Sequence, residues 1–384
     1  MDTAGLVQRI EGLHPVLRAR REEIERDRRL PHDLVSILRD TGIFALELPR
    51  RIGGAEATPP DILEVIEAIS RVDGAIGWCS ALAIANNGIA GFMHESGARE
   101  VFADLTAPSA GVFAPSGAAI RTDGGVRVSG RWQFASGITH CDWVWAGCLV
   151  MENGQPRMTA MGPEIIYAMM PVKEVEVHDT WFVSGLCGTG SHDLGARDVF
   201  VPERRIFSIG APFAPHSEPL YRMPPLGWFV SHVAAVSLGI ARGALDELIE
   251  LAQSKTPTFS MAVLADRPAA QIELARAEAA WASARAFLRD SVETLWHVVE
   301  AGGQPTPRQI AMNRMAATNA ADVSASVTKT ASVLSGGSAI FRTSSLQRHM
   351  RDADAAAHHF TVAPHVWEDA GRVLLGRAPT APMF

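Results

Sequence analysis

Cysteine is scarce in this 384-residue chain, and its spacing excludes the usual cysteine-based sites. Cys79, Cys141, Cys148 and Cys187 are far apart, and none of them belongs to a CxxC pair. A zinc ribbon or a dithiol redox motif requires such a pair. We therefore expect free, reduced thiols and no metal site.

Positive charge and long apolar runs are also lacking. The chain has 35 Lys and Arg against 42 Asp and Glu, for a formal net charge of −7, which argues against nucleic acid because phosphates attract clustered basic side chains. No apolar segment of about twenty residues predicts a membrane span. The N-terminus lacks the apolar run and cleavage site of a secretory signal. We expect a cytoplasmic enzyme or binding protein.

The familiar nucleotide-binding motifs are missing as well. The chain contains no GxxxxGK[ST] sequence, and GTGSHDLG at residues 188–195 has the wrong glycine spacing for GxGxxG. A Rossmann fold and direct binding of NAD(P)H are therefore not expected. The GTGS sequence either places backbone N–H groups near an anion or forms a plain tight turn.

The residue patterns that are present divide the chain into three parts. Residues 1–106 have apolar positions at helical spacing, residues 107–213 alternate in short valine- and tryptophan-rich segments, and residues 214–384 return to long alanine-rich helical periods. The chain is long enough for two or three cores. The sequence predicts a helical domain, an antiparallel β domain and a helical bundle, in that order.

One short segment of the β part, GRWQFASG at residues 130–137, combines bulky rings with a hydroxyl group. Strand alternation would place Trp132, Phe134 and Ser136 on one face. This face could form the wall of a site for a flat heterocycle. Alternatively, the two rings are sheet core and Ser136 begins a turn.

Five motifs in this order resemble the acyl-CoA dehydrogenase superfamily, over nearly the whole chain. They are LPRRIGG (48–54), GRWQFASG (130–137), WFVSGLCGTGSHD (181–193), VFVPERR (199–205) and LSGGSAIFRTSSLQRHMRD (334–352). The resemblance implies an α+β fold with an N-terminal helical domain, a central antiparallel β domain and a C-terminal four-helix bundle. It also implies a homotetramer.

The same resemblance implies a flavin site. Ser136 takes the position of the side chain that hydrogen-bonds flavin N5, and Phe134 that of the aromatic ring beside it. The implied cofactor contacts are Phe113 and Ala114 through their backbone, Trp132, Phe134, Ser136, Gly336 and Gly337. The paired glycines have a second interpretation, as the C-cap of a helix.

The residues after the RD motif distinguish two branches of the superfamily. Dehydrogenases commonly carry a glutamate base where this chain has Phe360, and phenylalanine cannot remove a proton. His359 resembles the histidine of the two-component, reduced-flavin monooxygenases. On a helix His358 would point about 100° away, and the motif count favours His359 as the catalytic residue. A structural role for His359 is the alternative.

The substrate is less well determined by the sequence. The segments at residues 77–92 and 113–117 also resemble the monooxygenase branch, although some members carry a histidine where this chain has Asn86 or Asn87. The substrate candidates are Trp78, Asn86, Phe92 and His232. An aromatic or polyketide-like phenol is the expected class, with N- and S-oxidation left open.

The resemblance therefore implies the oxygenase component of a flavin-dependent monooxygenase. It would receive reduced FMN or FAD from a separate reductase, with FMN slightly preferred, and react it with O2 to a C4a-hydroperoxide. Ser136 would slow peroxide elimination, and His359 would deprotonate the substrate or hold the distal oxygen. The alternatives are an acyl-CoA dehydrogenase-like oxidoreductase that uses another base, and a non-catalytic flavin-fold binding protein.

Overall fold

The computed structural model describes residues 2–160, 162–209, 218–381 and 384. Its N-terminal part is helical, as predicted. Capping side chains begin several helices: Asp2 accepts from Gly5 N, and Asp73 accepts from Ala75 N and Ile76 N. The helices are α1 (Thr3–Ala19), α2 (Arg21–Asp27), α3 (His32–Thr41), α4 (Pro59–Ser70), α5 (Gly74–Gly88) and α6 (Glu95–Val101).

A twisted sheet forms the middle of the chain. The strands are β1 (Ser109–Thr122), β2 (Gly125–Ala135), β3 (Trp143–Glu152), β4 (Gln155–Pro156), β5 (Met158–Thr159), β6 (Gly162–Pro163), β7 (Ile165–Pro171), β8 (Glu176–His178), β9 (His192–Pro202) and β10 (Ile206–Phe207). The main sheet has the order β10-β7-β3-β1-β2-β9-β8, with β4 paired to β3. Strands β5 and β6 pair separately.

The sheet is mixed, so the prediction of a purely antiparallel domain was wrong in one respect. Strands β1 and β2 form an antiparallel pair, but β1 and β3 run parallel. The short connection from Ala135 to Trp143 returns the chain past β1 at the end of the sheet where β1 begins. Strand β3 must then run in the direction of β1.

The C-terminal part is the predicted four-helix bundle with one additional helix. The helices are α7 (Pro225–Ser254), α8 (Pro268–Glu300), α9 (Pro307–Leu334), α10 (Ser345–Ala357) and α11 (His365–Leu374). A capping box at Thr306 and Gln309 begins α9. The three-part α+β fold class is therefore confirmed.

In the described part of the chain, two segments are long and apolar enough to resemble membrane spans, residues 74–92 and 227–254. The first is 100% buried inside the protein and the second is 89% buried. Helices α5 and α7 are neighbours in the main helical core, where Ile76 and Ala83 of α5 join Val233 and Ile240 of α7. Their hydropathy is thus explained by core packing, because a helix apolar on all sides is stable only when it is surrounded.

Candidate functional site

The end of β2 does not keep the alternation that its sequence suggests. The register between β2 and β9 shifts between Trp132 and Ala135, which is a bulge. Trp132 is fully buried in the sheet core, and its indole N–H donates to the carbonyl of Gly147 at 2.7 Å. The ring therefore has no exposed surface in this structure, and the cofactor role of Trp132 stays a prediction.

Phe134 lies at this bulge and is turned outward. Its φ is +67°, a left-handed conformation that bulky residues rarely adopt. The side chain is 65% exposed and meets Trp181 edge to face, with ring centroids 6.1 Å apart. Phe134 and Trp181 therefore form an open aromatic surface at the end of the sheet, whereas Trp132 forms part of the core.

Ser136 follows the bulge and is buried within a group of polar side chains. Its Oγ accepts from Trp78 Nε1 at 3.2 Å and lies 2.6 Å from Ser191 Oγ. Ser191 Oγ is in turn 2.7 Å from Thr189 Oγ1. The GTGS sequence is thus a turn whose hydroxyl groups, on Thr189 and Ser191, form a hydrogen-bonded row that ends at Ser136. The glycine-rich pattern suggested a role for its backbone alone, although Thr189 and Ser191 also carry hydroxyl groups.

The backbone near Phe113 and Ala114 lies in a gap of the sheet. The β1–β3 register is interrupted between Val112 and Gly117, and the β1–β2 register begins only at Ala118. The backbone groups of Phe113 and Ala114 therefore lie outside both registers. An interruption of the register is a place where backbone groups can bond a flat polar ligand in place of a neighbouring strand.

Gly336 and Gly337 lie apart from these residues, in a short 3-10 helix that follows α9. Gly336 has a φ of +58°, so glycine is favoured there. Both glycines are exposed, and an added Cβ at Gly337 would meet no atom within 4 Å. The cofactor role of this pair stays a prediction.

His359 lies just beyond the end of α10, so the two adjacent histidines are not on a regular helix. His358 is the C-cap residue; it is exposed, and its Nδ1 lies 2.7 Å from the carbonyl of Asp354. His359 turns inward and packs edge to face on Trp78, with ring centroids 5.4 Å apart, and against Phe229 at 5.9 Å. Of the pair, His359 is the one that reaches the interior.

The protonation state of His359 follows from its surroundings. Burial among apolar side chains lowers the pKa of His359 to about 4, so the ring is neutral at pH 7. The backbone N–H of Thr361 donates to Nδ1 at 3.4 Å, and Thr361 Oγ1 lies 2.7 Å from the same atom. An atom that accepts an N–H bond carries no proton, so the proton of the neutral ring is on Nε2.

Trp78 connects the two predicted catalytic residues. Its N–H donates to Ser136 while its ring packs on His359, although Ser136 and His359 belong to different thirds of the chain. Trp78 is nearly buried at the start of α5. The structure thus brings Ser136, Trp78 and His359 together, and it adds Phe229, which the sequence analysis missed because it looks like ordinary helix core.

The other substrate candidates are less accessible. The amide nitrogen of Asn86 donates to the carbonyl of Ser109 at 3.1 Å, and Asn86 is 3% exposed. Phe92 packs against Tyr221 in a separate core cluster, with ring centroids 5.9 Å apart. Little of either side chain is left for a substrate, and their assignment stays a prediction.

His232 is buried and faces a carboxylate. Its Nε2 lies 2.8 Å from Glu47 Oε1, and its Nδ1 donates to the carbonyl of Trp228 at 3.0 Å. Trp228 Nε1 also donates to Glu47 Oε1 at 2.8 Å. Although burial opposes it, Glu47 raises the pKa of His232. Both ring nitrogens of His232 are therefore engaged within the protein.

Two family models match the chain on either side of the sheet. The acyl-CoA dehydrogenase N-terminal domain matches residues 13–107, and the acyl-CoA dehydrogenase C-terminal domain matches residues 231–364. Together the two matches include Trp78, His232 and His359.

Individual relatives align over nearly the full length. The chain is 35% identical to the indole-3-acetate monooxygenase of Pseudomonas putida, over 94% of this chain and 91% of the relative. It is 30% identical to the flavin-dependent monooxygenase oxygenase subunit HsaA of Mycobacterium tuberculosis, over 93% and 92%. The structure of XiaF from Streptomyces with FADH2 and glycerol superposes with a TM-score of 0.92 at 26% identity, over 100% of this chain and 98% of that one.

Proposed function

Because the chain belongs to the acyl-CoA dehydrogenase superfamily and is the oxygenase component of a flavin-dependent monooxygenase, we propose that it hydroxylates a small aromatic compound beside Trp78 and His359. The family predicted from the sequence motifs is confirmed, and so are the reaction class and the use of a flavin. As an oxygenase component, the protein works with a partner reductase and a small substrate.

The residues at the end of the sheet fit a flavin. We assign the backbone of Phe113 and Ala114, at the interruption of the register, to its pyrimidine edge, the exposed ring of Phe134 to its flat face, and Ser136 Oγ to N5. When bound in reduced form, the flavin supplies the electrons that allow O2 to transfer one oxygen atom to the substrate and release the other as water. FAD is the proposed form, since XiaF is seen with FADH2; this replaces the slight preference for FMN.

His359 is proposed to act as a hydrogen-bond donor. Its Nε2 carries the proton because Nδ1 accepts from Thr361 N. A general base would need an unprotonated nitrogen facing the substrate, and a ring with a pKa of about 4 is a weak base. His359 therefore holds an oxygen atom of the reacting group through Nε2–H. Of the two roles predicted from the sequence, the structure supports this one.

The aromatic surroundings of His359 support an aromatic substrate. The rings of Trp78 and Phe229 both pack against the imidazole, at centroid distances of 5.4 and 5.9 Å. Such rings bind flat apolar molecules and exclude water. This arrangement, with Trp78 also bonded to Ser136, is the observation that carries the proposal. Indole-type acids are the first compounds to test, because the Pseudomonas putida relative is named for indole-3-acetate.

The test is a reconstituted assay. The purified chain, a flavin reductase, NADH, FAD and indole-3-acetate should give hydroxylated product with little H2O2. Without the reductase, NADH consumption should be negligible. Rapid NADH oxidation by the chain alone would contradict the two-component assignment. Bleaching of bound flavin by an acyl-CoA would contradict the monooxygenase chemistry, and product from aliphatic but not aromatic compounds would contradict the substrate class.

We also propose a homotetramer that acts in the cytoplasm. Exposed apolar side chains lie near the glycine pair in the chain and in the segment after α7, and surfaces of this kind mark subunit contacts. They are Val333, Ile340, Phe341, Phe259 and Met261. Light scattering should show four copies, and Phe341→Glu should reduce this number. The control Ile120→Asp, on the exposed side of β1, should leave it unchanged. A stable monomer at micromolar concentration would contradict the proposal.

A further inference from the structure

A row of hydroxyl groups leads from Ser136 into the turn before β9. Ser136 Oγ, Ser191 Oγ and Thr189 Oγ1 follow one another at 2.6 and 2.7 Å, and Thr189 Oγ1 lies 2.9 Å from the carbonyl oxygen of Leu186. All three hydroxyl residues are buried. Buried hydroxyl groups must share their protons among themselves, because each has one proton to donate and two lone pairs.

The carbonyl at the end of the row determines the direction of every hydrogen bond in it. The oxygen of Leu186 can only accept, so Thr189 donates to it. The proton of Thr189 is then used, and Ser191 must donate to Thr189. For the same reason Ser136 must donate to Ser191.

This direction leaves Ser136 as an acceptor only. Its own proton points to Ser191, and one of its lone pairs accepts the N–H of Trp78. One lone pair remains for a ligand. An oxidised flavin has a lone pair on N5, which needs a donor, whereas a reduced flavin carries N5–H, which needs an acceptor. Ser136 can therefore satisfy only the reduced form.

We propose that Thr189 and Ser191 are positioning residues that make Ser136 selective for reduced flavin. The proposal rests on the assignment of Ser136 to N5 in the proposed function. Thr189 and Ser191 themselves need not touch the cofactor. Their contribution is to occupy the proton of Ser136, so that the site favours the flavin that a reductase delivers and releases the spent, oxidised one.

The test compares the affinities for FADH2, measured anaerobically, and for FAD, by ultrafiltration of the full-length protein. In Thr189→Val, Ser191 loses the hydroxyl oxygen that accepted its proton, so Ser191 can donate to Ser136 instead. The proton of Ser136 is then free to bond N5 of the oxidised flavin. The preference for FADH2 should fall roughly three- to tenfold, the value of one hydrogen bond. Thr189→Ser keeps the hydroxyl and should keep the preference.

Three further variants separate the possible outcomes. Thr318→Val removes another buried hydroxyl, which donates to the carbonyl of Arg314 at 3.1 Å within α9, and should leave the preference unchanged. Ser136→Ala should lower it. If Thr189→Val does not fold, Ser191→Ala decides, since it also frees the proton of Ser136 and should lower the preference.

The outcomes have distinct meanings. A lower preference in Thr189→Val, restored in Thr189→Ser, supports the proposal. If Thr189→Val keeps the wild-type preference while Ser136→Ala lowers it, the role of the row is overturned but Ser136 stays at N5. Ser191→Ala takes the place of Thr189→Val in this comparison if Thr189→Val does not fold. A wild-type preference in Ser136→Ala overturns the flavin site of the proposed function, and this proposal with it.

Discussion

Two inward-facing histidines in the helical part of the molecule, one buried and one part-buried, have opposite properties. His359 packs on the rings of Trp78 and Phe229, and burial lowers its pKa to about 4. His232 faces Glu47, and the carboxylate raises its pKa in spite of burial. The imidazole is thus neutral at His359, whereas its protonated form is favoured at His232.

The difference shows which histidine is available for chemistry. Both nitrogens of His232 are engaged, with Glu47 and with the carbonyl of Trp228. Among the described residues, the hydrogen-bond contacts of His359 are from Nδ1 to Thr361, and its Nε2–H is left for a ligand. A buried ion pair mainly holds structure together, while a neutral ring with one free donor can serve a reaction. The following predictions test this contrast.

The largest effect is expected from His359→Ala. The ratio of hydroxylated product to H2O2 should fall roughly 10²- to 10³-fold, the contribution typical of one positioned hydrogen-bond donor. Flavin binding should persist, because the proposed flavin contacts belong to the sheet. His358→Ala is the matched control and should have little effect, since that side chain is exposed. Wild-type coupling together with a lower melting temperature would make His359 a structural residue instead.

The second effect concerns stability. Glu47→Ala leaves His232 buried without its carboxylate, and loss of one partner of a buried pair costs about 3–5 kcal/mol of unfolding free energy. Denaturant unfolding measures this loss. Glu293→Ala, which breaks the exposed pair with Arg289, should cost less than about 1 kcal/mol. Equal losses in the two variants would show that the Glu47–His232 pair is not the stabilising contact inferred here.

The third effect is a pH dependence of opposite sign at the two sites. Unfolded histidine titrates near about 6.5, so between pH 6.5 and 4 the unfolded state binds protons that His359 in the fold does not. Stability from His359 is therefore present above pH 6.5 and lost as the pH falls toward 4, with a slope of up to about 1.4 kcal/mol per pH unit. His359→Gln should reduce that slope.

At His232 the sign is reversed. Its folded pKa is raised, so its contribution is complete below pH 6.5 and is lost as the pH rises through the folded value. His232→Gln should flatten the stability profile on the alkaline side. Unfolding free energies measured from pH 4 to 9 would test both sites. The assigned environments would be contradicted if both variants changed the pH dependence of stability on the same side of pH 6.5.

The smallest effect is expected from Trp78→Phe. It retains a ring beside His359 but removes the N–H that donates to Ser136. Because one hydrogen bond is lost, the product-to-peroxide ratio should fall roughly three- to tenfold. Trp281→Phe removes a similar bond, to the carbonyl of Leu238, away from the site and should not change the ratio. A loss as large as that of His359→Ala would mean that Trp78 does more than support its neighbours.

Much of the fold could be predicted because local periodicity carries it. The helical spacing in the first and last thirds and the short alternating segments between them lead to the observed three-part order. Motif order led to Ser136 and His359, which the structure joins through Trp78. The variants above test the catalytic roles of these two residues.

Trp132 shows where local pattern fails. Alternation would place it beside Phe134, but a bulge lies between Trp132 and Ala135 and turns Phe134 outward with a left-handed backbone. A bulge adds a residue to one strand opposite a single residue of its neighbour. It is therefore a property of the pair of strands, and β9 is distant in the sequence from β2.

The amino-acid sequence by itself determined the order of helices and sheet and the residue types available for flavin chemistry, because periodicity and motif spacing are local properties. Tertiary structure alone decided what those residues do. The proton on His359 Nε2 depends on Thr361, the pKa of His232 depends on Glu47, and the direction of the Ser136 hydroxyl depends on the carbonyl of Leu186. Protonation and hydrogen-bond direction are set by the nearest atoms in space, and the folded chain brings several of these, such as Glu47 beside His232 and Ser191 beside Ser136, together from distant segments.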